Sequence, residues 1–429
     1  MVEGNLKSKE LYERAKRLLP GGVNSPVRAF KPYPFFVNRA KGSRLYSADG
    51  KSYIDYCMAY GALLLGHAHE EIIRAVSEQL PKGTLYCTPI ELEVELAELI
   101  HRIYPSMEML RLVNTGTEAT MHAIRAARGF TERKKIIMFE GCFHGSHDSV
   151  LVRAGSGAAV IPSSNGIPNE IVQNTIVLPY NNFNALDEVF SKKGHEIAAV
   201  IIEPIVVNSG LILPKKGYLE YLRKITHENG AVLIFDEVVT GFRVTLGGCQ
   251  KYYEIKPDMT TLGKIIGGGF PLAAYGGKRE IMENIAPLGK VYQAGTFSGN
   301  PISVVAGYTT VKLLKNSEQI YSELERNCKQ IANALIDISR DYKIEAQVNS
   351  IASMFQIFFT SSPVVDYYSA KSSDIEKFHK YFLELLKNEV FIPPSQFETC
   401  FLSTAHSIED CEITIEALNK ALASMRGEK

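Results

Sequence analysis

The chain carries no excess of either charge, no long uninterrupted apolar run and no closely spaced pair of cysteines. Its 47 Lys and Arg balance 47 Asp and Glu over 429 residues, so no net field draws a nucleic-acid backbone or an anionic membrane surface, and any anion site has to be local. The richest apolar stretch, Ile197 to Val207, is broken by Glu203 and Pro204, and Met1 to Leu11 are charged rather than apolar. Neither a membrane span nor a signal peptide is expected. The 7 cysteines are scattered, odd in number and free of any C-x-x-C pair, which fits reduced thiols in a cytosol and a cytoplasmic protein. No H-x-x-x-H or comparable cluster with acidic partners occurs, and His67-Ala68-His69 lacks a third ligand nearby, so no metal is expected.

What is present is a large apolar fraction, 45%, enough for a sizeable core and roughly two or three domains. Gly42 to Asp55 alternates around Asp49-Gly50 and reads as a small β-hairpin. Beyond residue 68 the rhythm is α/β. Leu92, Leu96, Leu99 and Ile103 recur at helical spacing, and compact apolar runs follow at Ile136 to Phe139, Ala198 to Ile202, Val232 to Phe235 and Leu272 to Tyr275. Runs of that length suit strands buried on both faces of a mostly parallel sheet. Ile351 to Thr360 reads as one strand, and Ser407 to Asp410 opens a final helix with the stripe Cys411, Ile415, Leu418, Leu422, Met425. The expected division is residues 1–67 as an N-terminal segment, 68–315 as a large domain and 316–429 as a small C-terminal domain with which the N-terminal segment packs.

Four segments carry chemistry. Asn114-Thr115-Gly116-Thr117-Glu118-Ala119 turns from an apolar run into a helical stretch, so its amides and the helix dipole suit a phosphate; an ordinary helix cap is the competing reading. Asp236 ends the apolar run Ala231 to Phe235. Ligands gather beyond the carboxyl ends of strands in open α/β sheets, and a carboxylate there can hold a protonated ring nitrogen; a helix cap or a metal ligand is the alternative. Lys264 stands between Gly263 and the apolar pair Ile265-Ile266, with glycines at 267 to 269. Such a desolvated lysine can form an imine with a carbonyl. The lysine precedes its glycines, so this is not a P-loop. Gly141-Cys142-Phe143-His144-Gly145 offers Phe143 or His144 to stack on a planar ring, although lone aromatic residues are more often core or cap.

In that order (phosphate turn, aromatic-glycine turn, Glu203-Pro204, Asp236, Lys264) the chain resembles the class-III, fold-type-I pyridoxal-phosphate aminotransferases. GGVNSPVRAF at 21–30, TLGKIIGGG at 261–269, YQAGTFSGNP at 292–301 and PPSQFE at 393–398 narrow the resemblance to an aminomutase branch, over nearly the whole chain. It implies the fold-type-I architecture, with a mostly parallel central sheet and a smaller α+β domain built from both chain ends. It also implies pyridoxal 5'-phosphate and pyridoxamine 5'-phosphate as cofactor forms, with Lys264 as the lysine that bonds the cofactor and moves the proton, and Asp236 as partner of the pyridine nitrogen. Thr115, Gly116 and Thr117 are implied for the phosphate, Phe143, His144 and Val238 around the ring, and Asn208 for the phenolic oxygen. Thr296 is implied to reach the phosphate of a partner subunit, hence a homodimer with shared sites. Ser25 and Arg28 are implied for a substrate carboxylate, with Glu398 near the substrate end, and Ala154 to Gly166 for a gating loop. The reaction so implied converts glutamate-1-semialdehyde into 5-aminolevulinate through 4,5-diaminovalerate, for tetrapyrrole synthesis; an ω- or β-amino acid aminotransferase is the alternative. Departures from the family fall at Phe143, commonly tyrosine, at Tyr60, tryptophan in many members, and at Leu85-Tyr86-Cys87.

Overall fold

The computed structural model describes residues 6–154 and 160–426. The chain divides into two compact units: Glu70–Tyr321 with Val365–Tyr368, and Met1–His69 with Ser322–Val364 and Ser369–Lys429. The first boundary falls two residues after the one expected. The second falls six residues later, because Tyr321 donates its hydroxyl to the Phe242 carbonyl at 2.9 Å and so stays with the larger unit. Val365–Tyr368 belongs there too: the Asn181 side chain donates to the Val365 carbonyl, and the Tyr368 hydroxyl to Glu140.

The larger unit is built on a seven-stranded sheet. Its strands are β1 (Met109–Val113), β2 (Lys135–Phe139), β3 (Thr175–Leu178), β4 (Ile197–Ile202), β5 (Val232–Glu237), β6 (Met259–Leu262) and β7 (Ala273–Gly277), in the order β1-β7-β6-β5-β4-β2-β3. The pairs β5·β6, β4·β5, β2·β4 and β2·β3 are parallel, while β7 runs antiparallel to both its neighbours. Every residue of β4 and β5 is buried, as a central strand covered on both faces demands. Helix Gly116–Thr131 lies close on the sheet because Ala119, Ala123, Ala126 and Ala127, all fully buried, leave room for it. Each large aliphatic side chain buried in this way contributes about 1.5–3 kcal/mol.

The smaller unit joins both chain ends. Val37–Lys41, Arg44–Ser47 and Ser52–Asp55 form an antiparallel meander, and Val390–Phe391 adds parallel to the last of these. Asp410 ties the ends together: it caps helix Ile408–Ser424 with Ser407 and also accepts from Ser43 and Arg44, each at 2.8 Å. The single strand expected at Ile351 to Thr360 is a hairpin, Gln347–Ile351 with Met354–Phe358, because Ala352 takes a left-handed φ of 51° and turns the chain.

Candidate active site

Five of the strand ends in the larger unit carry the polar residues in question, all at the carboxyl side, where parallel strands leave a crevice. In the parallel register Asp236 lies beside Thr261 and Phe235 beside Ile202, which sets Asp236 next to the turn bearing Lys264 on one side and to Glu203 on the other. A cavity of about 190 Å³ opens there, lined by Gly116, Thr117, Phe143, His144, Asn208, Asp236, Val238 and Lys264. Thr120, Gly145, Glu203, Val239 and Thr240, for which no ligand role follows from the sequence, line it too.

One end of this cavity is suited to an anion. It meets the first turn of the 16-residue helix Gly116–Thr131, where backbone N–H groups lack intrahelical partners and the dipole is positive. Gly116 is required by space, since a Cβ there would sit 2.9 Å from Val238 Cγ1. Thr115 is the N-cap of this helix: its hydroxyl accepts from Glu118 N at 3.1 Å, its side chain is exposed, and it lies outside the cavity lining. The capping reading therefore describes its hydroxyl, and the cavity is met by Gly116 and Thr117 instead.

Part of the lining is acidic. Asp236 is 4% exposed and takes hydrogen bonds from Val238 N at 3.1 Å and the Thr261 hydroxyl at 3.0 Å, while its Oδ2 is 2.7 Å from His144 Nδ1. The Nε2 of His144 is buried without a partner. Thr120 fixes this histidine from behind by donating to its carbonyl at 2.6 Å. Glu203 holds the neighbouring wall: it accepts from Phe143 N at 2.7 Å, from Val207 N at 3.0 Å and from the Asn208 amide at 3.0 Å. Burial pushes the Glu203 carboxyl above the usual range, opposed by His144 and the two backbone donors and reinforced by the charge of Asp236. The Phe143 ring is 52% exposed on that wall, as an aromatic face awaiting a planar ring would be. Lys264 adopts a left-handed φ of 48° at the start of a short 3-10 turn, the kind of local backbone strain that concentrates at active sites.

The fit to a phosphorylated pyridine rests on the groups that line one cavity: the amides and a hydroxyl of a helix start, a buried carboxylate, an exposed aromatic residue and a lysine. Thr296 lies apart from this cavity, exposed in the segment Tyr292 to Phe297. Ser25, Arg28 and Glu398 belong to the smaller unit, where Arg28 lines a second cavity, of about 370 Å³, with Val27, Cys57 and Tyr60. Of the expected gating loop, residues 155–159 lie outside the described residues; Val152–Ala154 and Val160–Pro162, on either side of them, pair antiparallel. Among the described residues no group of His, Cys, Asp and Glu could hold a metal ion, and no helix is long and apolar enough to cross a membrane.

Thr261 and Thr120, which brace Asp236 and His144, went unread in the sequence. For Thr261 the available signal was a pair of threonines before Lys264, the second of them three positions ahead of it.

A lysine and a carboxylate at adjacent strand ends, facing an anion-ready helix start, define a site for a phosphorylated pyridine cofactor. The class-III aminotransferase family matches residues 27–422, and the chain belongs to that family. It is 55% identical over 418 residues to glutamate-1-semialdehyde 2,1-aminomutase of Archaeoglobus fulgidus, covering 97% of this chain and 99% of that one. It is likewise 55% identical over 414 residues to the enzyme of the same name from Methanocaldococcus jannaschii, covering 96% and 97%. Among solved structures it resembles an omega-transaminase from Sphaerobacter thermophilus, with a TM-score of 0.93, 34% identity and 99% of both chains covered.

Proposed function

We propose that this protein converts glutamate-1-semialdehyde into 5-aminolevulinate by intramolecular amino transfer through 4,5-diaminovalerate, supplying a tetrapyrrole precursor, with pyridoxal and pyridoxamine 5'-phosphate as its cofactor forms. What carries the reading is the convergence of Lys264, Asp236 and the Gly116–Thr117 helix start on one cavity, in a chain 55% identical almost end to end to an aminomutase.

The bound cofactor would supply an electron sink that makes a proton on an amine-bearing carbon removable. The protein does the rest. Gly116 N–H, Thr117 N–H and the Thr117 hydroxyl hold the phosphate. Asp236 would pair with a protonated ring nitrogen. Phe143 and Val238 cover the ring, and Asn208, held by Glu203, faces its phenolic oxygen. Lys264 Nζ takes the proton from one substrate carbon and returns it at another position, the work of a positioned general base, worth about 10²- to 10⁴-fold in rate. Ser25 and Arg28 orient the substrate carboxylate, the planar guanidinium through two parallel hydrogen bonds, and Glu398 stands near the substrate end. Because one amine is added at the aldehyde carbon and the other is taken back from its neighbour, no external donor is consumed.

The protein is further proposed to act in the cytoplasm as a homodimer in which Thr296 serves the partner's phosphate. Support comes from the exposed apolar residues beside Thr296, Tyr292 at 71% and Phe297 at 59%, and from thiols that are all free. An ordinary ω- or β-amino acid aminotransferase is the second reading, favoured only by the structural likeness to an omega-transaminase, and fold alone does not settle function. The test is to load the protein with pyridoxamine 5'-phosphate, remove the excess and add glutamate-1-semialdehyde alone. Sustained 5-aminolevulinate over many turnovers supports the aminomutase. Product that stalls at one equivalent of cofactor makes it a transaminase.

A further inference from the structure

Tyr60 has no part in the function proposed above, yet the chain goes to unusual lengths to place it. Met58, Ala59 and Tyr60 have φ of 43°, 53° and 55°, three successive non-glycine residues in the left-handed region that L-side chains avoid. Asp55 holds the turn: its Oδ1 accepts from the backbone N–H groups of Cys57 at 2.8 Å and Met58 at 3.1 Å, and its Oδ2 is 2.8 Å from His67 Nε2. Gly61 follows at φ 87°, where a Cβ would stand 2.9 Å from the Phe401 ring. Strain persists only where the surroundings over-determine it, and here the outcome is one contact: the Tyr60 hydroxyl donates to the Val27 carbonyl at 2.5 Å.

Val27 is the middle residue of the 3-10 turn Pro26–Arg28, which Ser25 does not cap with its own side chain. The Tyr60 bond therefore fixes the peptide immediately before Arg28. Tyr60 and Arg28 line the same cavity. Burial raises the Tyr60 phenol well above its usual range, reinforced by Cys57 and Glu398 and opposed by Arg28, so it remains a protonated donor.

We propose that Tyr60 is a positioning residue that fixes the turn carrying Arg28 and so sets this protein's selectivity for a substrate carboxylate, an inference that rests on reading Arg28 as the carboxylate's ligand. A guanidinium on a fixed turn loses less freedom on binding than one on a loose turn, and that difference appears in substrate affinity rather than in the chemical step.

The experiment uses the full-length protein loaded with pyridoxal 5'-phosphate. It compares the amino-transfer half-reaction with 4,5-diaminovalerate and with 1,2-diaminobutane, the same diamine without the carboxylate, in the wild type and in the Arg28→Ala, Tyr60→Phe and Tyr60→Trp variants. Arg28→Ala is expected to lose most of the preference for the carboxylate-bearing diamine. Tyr60→Phe is expected to lose roughly tenfold of it through KM, with the saturating rate little changed, and Tyr60→Trp, which brings back an N–H donor, to restore part. A Tyr60→Phe variant that keeps the full preference, or that slows both diamines alike, overturns the proposal. Retention of the preference by Arg28→Ala instead overturns the reading of Arg28, and the two failures are seen in different variants. Should Tyr60→Phe fail to fold, Tyr60→Leu, which also removes the donor, decides by the same criterion.

Discussion

Asp236→Asn is the substitution that separates charge from shape at the cofactor end of the cavity. In the wild type Asp236 Oδ1 accepts from Val238 N and the Thr261 hydroxyl, and Oδ2 faces His144 Nδ1. An asparagine Oδ1 keeps the first two bonds, and its amide can donate to an unprotonated His144 Nδ1, since a neutral imidazole offers one acceptor nitrogen. Packing is therefore conserved while one buried negative charge is removed. A hydrogen bond to a charged group is worth about 1.5–3 kcal/mol, which translates into an affinity for pyridoxal 5'-phosphate weakened about 10- to 150-fold. The assay is equilibrium titration of the cofactor-free protein, followed by absorbance, with thermal unfolding as the control for the fold. The half-reaction should slow by more than the affinity falls, because the charge matters most when electron density moves toward the ring nitrogen. A variant with wild-type Tm that binds cofactor and turns over within twofold of the wild type would refute the assignment of Asp236.

Lys264→Ala should leave the fold intact and slow 5-aminolevulinate formation by about 10²- to 10⁴-fold; unchanged turnover would remove Lys264 from the mechanism. Gly145→Ala should destabilise the protein by roughly 1–3 kcal/mol, since Gly145 has φ 96° and an added Cβ would lie 2.6 Å from Thr117 Oγ1; a denaturation midpoint equal to wild type would contradict the geometry. Stability should also fall with acid. Burial, then the nearby Arg125, lowers His122 to about 4, and burial, then His144 and two arginines, lowers His147 to about 4. Both folded pKa values lie below the unfolded value, so the unfolded chain binds the extra protons: stability is fully present above pH 6.5 and lost as pH falls toward 4. Each group contributes a slope of up to about 1.4 kcal/mol per pH unit within that window. Melting temperatures of His122→Gln and His147→Gln between pH 7.5 and 5, read against wild type, should show flatter dependence; parallel curves would dismiss both histidines.

The strands that were legible in the sequence were those whose burial leaves a continuous apolar run, as in Ile197–Ile202 and Val232–Glu237. Met259–Leu262 escaped notice because its two central residues are threonines, both buried, one of them spending its hydroxyl on Asp236. The hairpin at Ala352 was unreadable for a different reason: a left-handed alanine leaves no mark in composition, where a glycine would have. Asp236 could be singled out because charge at the end of an apolar run is costly and calls for a partner, and Lys264 because a lysine set between a glycine and an apolar pair, with glycines after it, has little reason to face solvent. Arg28 could not, since an exposed arginine after a proline has many uses; only the resemblance raised it. The Thr115 hexapeptide left two readings open; the hydroxyl of Thr115 serves the cap, while Gly116 and Thr117 line the cavity.

The residues expected to act on the cofactor and those expected to act on the substrate's carboxylate also belong to different units of the chain, Glu70–Tyr321 for Lys264 and Asp236, the other for Ser25, Arg28 and Glu398. A cavity that holds a phosphate, a ring and a lysine serves a transaminase and an aminomutase equally well, which is why a fold shared with an omega-transaminase at a TM-score of 0.93 carries so little about the reaction. Under the proposed function the diamine must stay long enough to be taken up again by its other amine, and that residence is expected to depend on how well its carboxylate is held. The selectivity is therefore expected to vary with Arg28 and with the Tyr60 turn behind it, while Lys264→Ala or Asp236→Asn should slow every amino substrate alike. Partition measurements on Arg28→Ala should accordingly show 4,5-diaminovalerate released into solution and cofactor left in the aldehyde form; a variant that slows without releasing diamine would place the hold on the intermediate elsewhere.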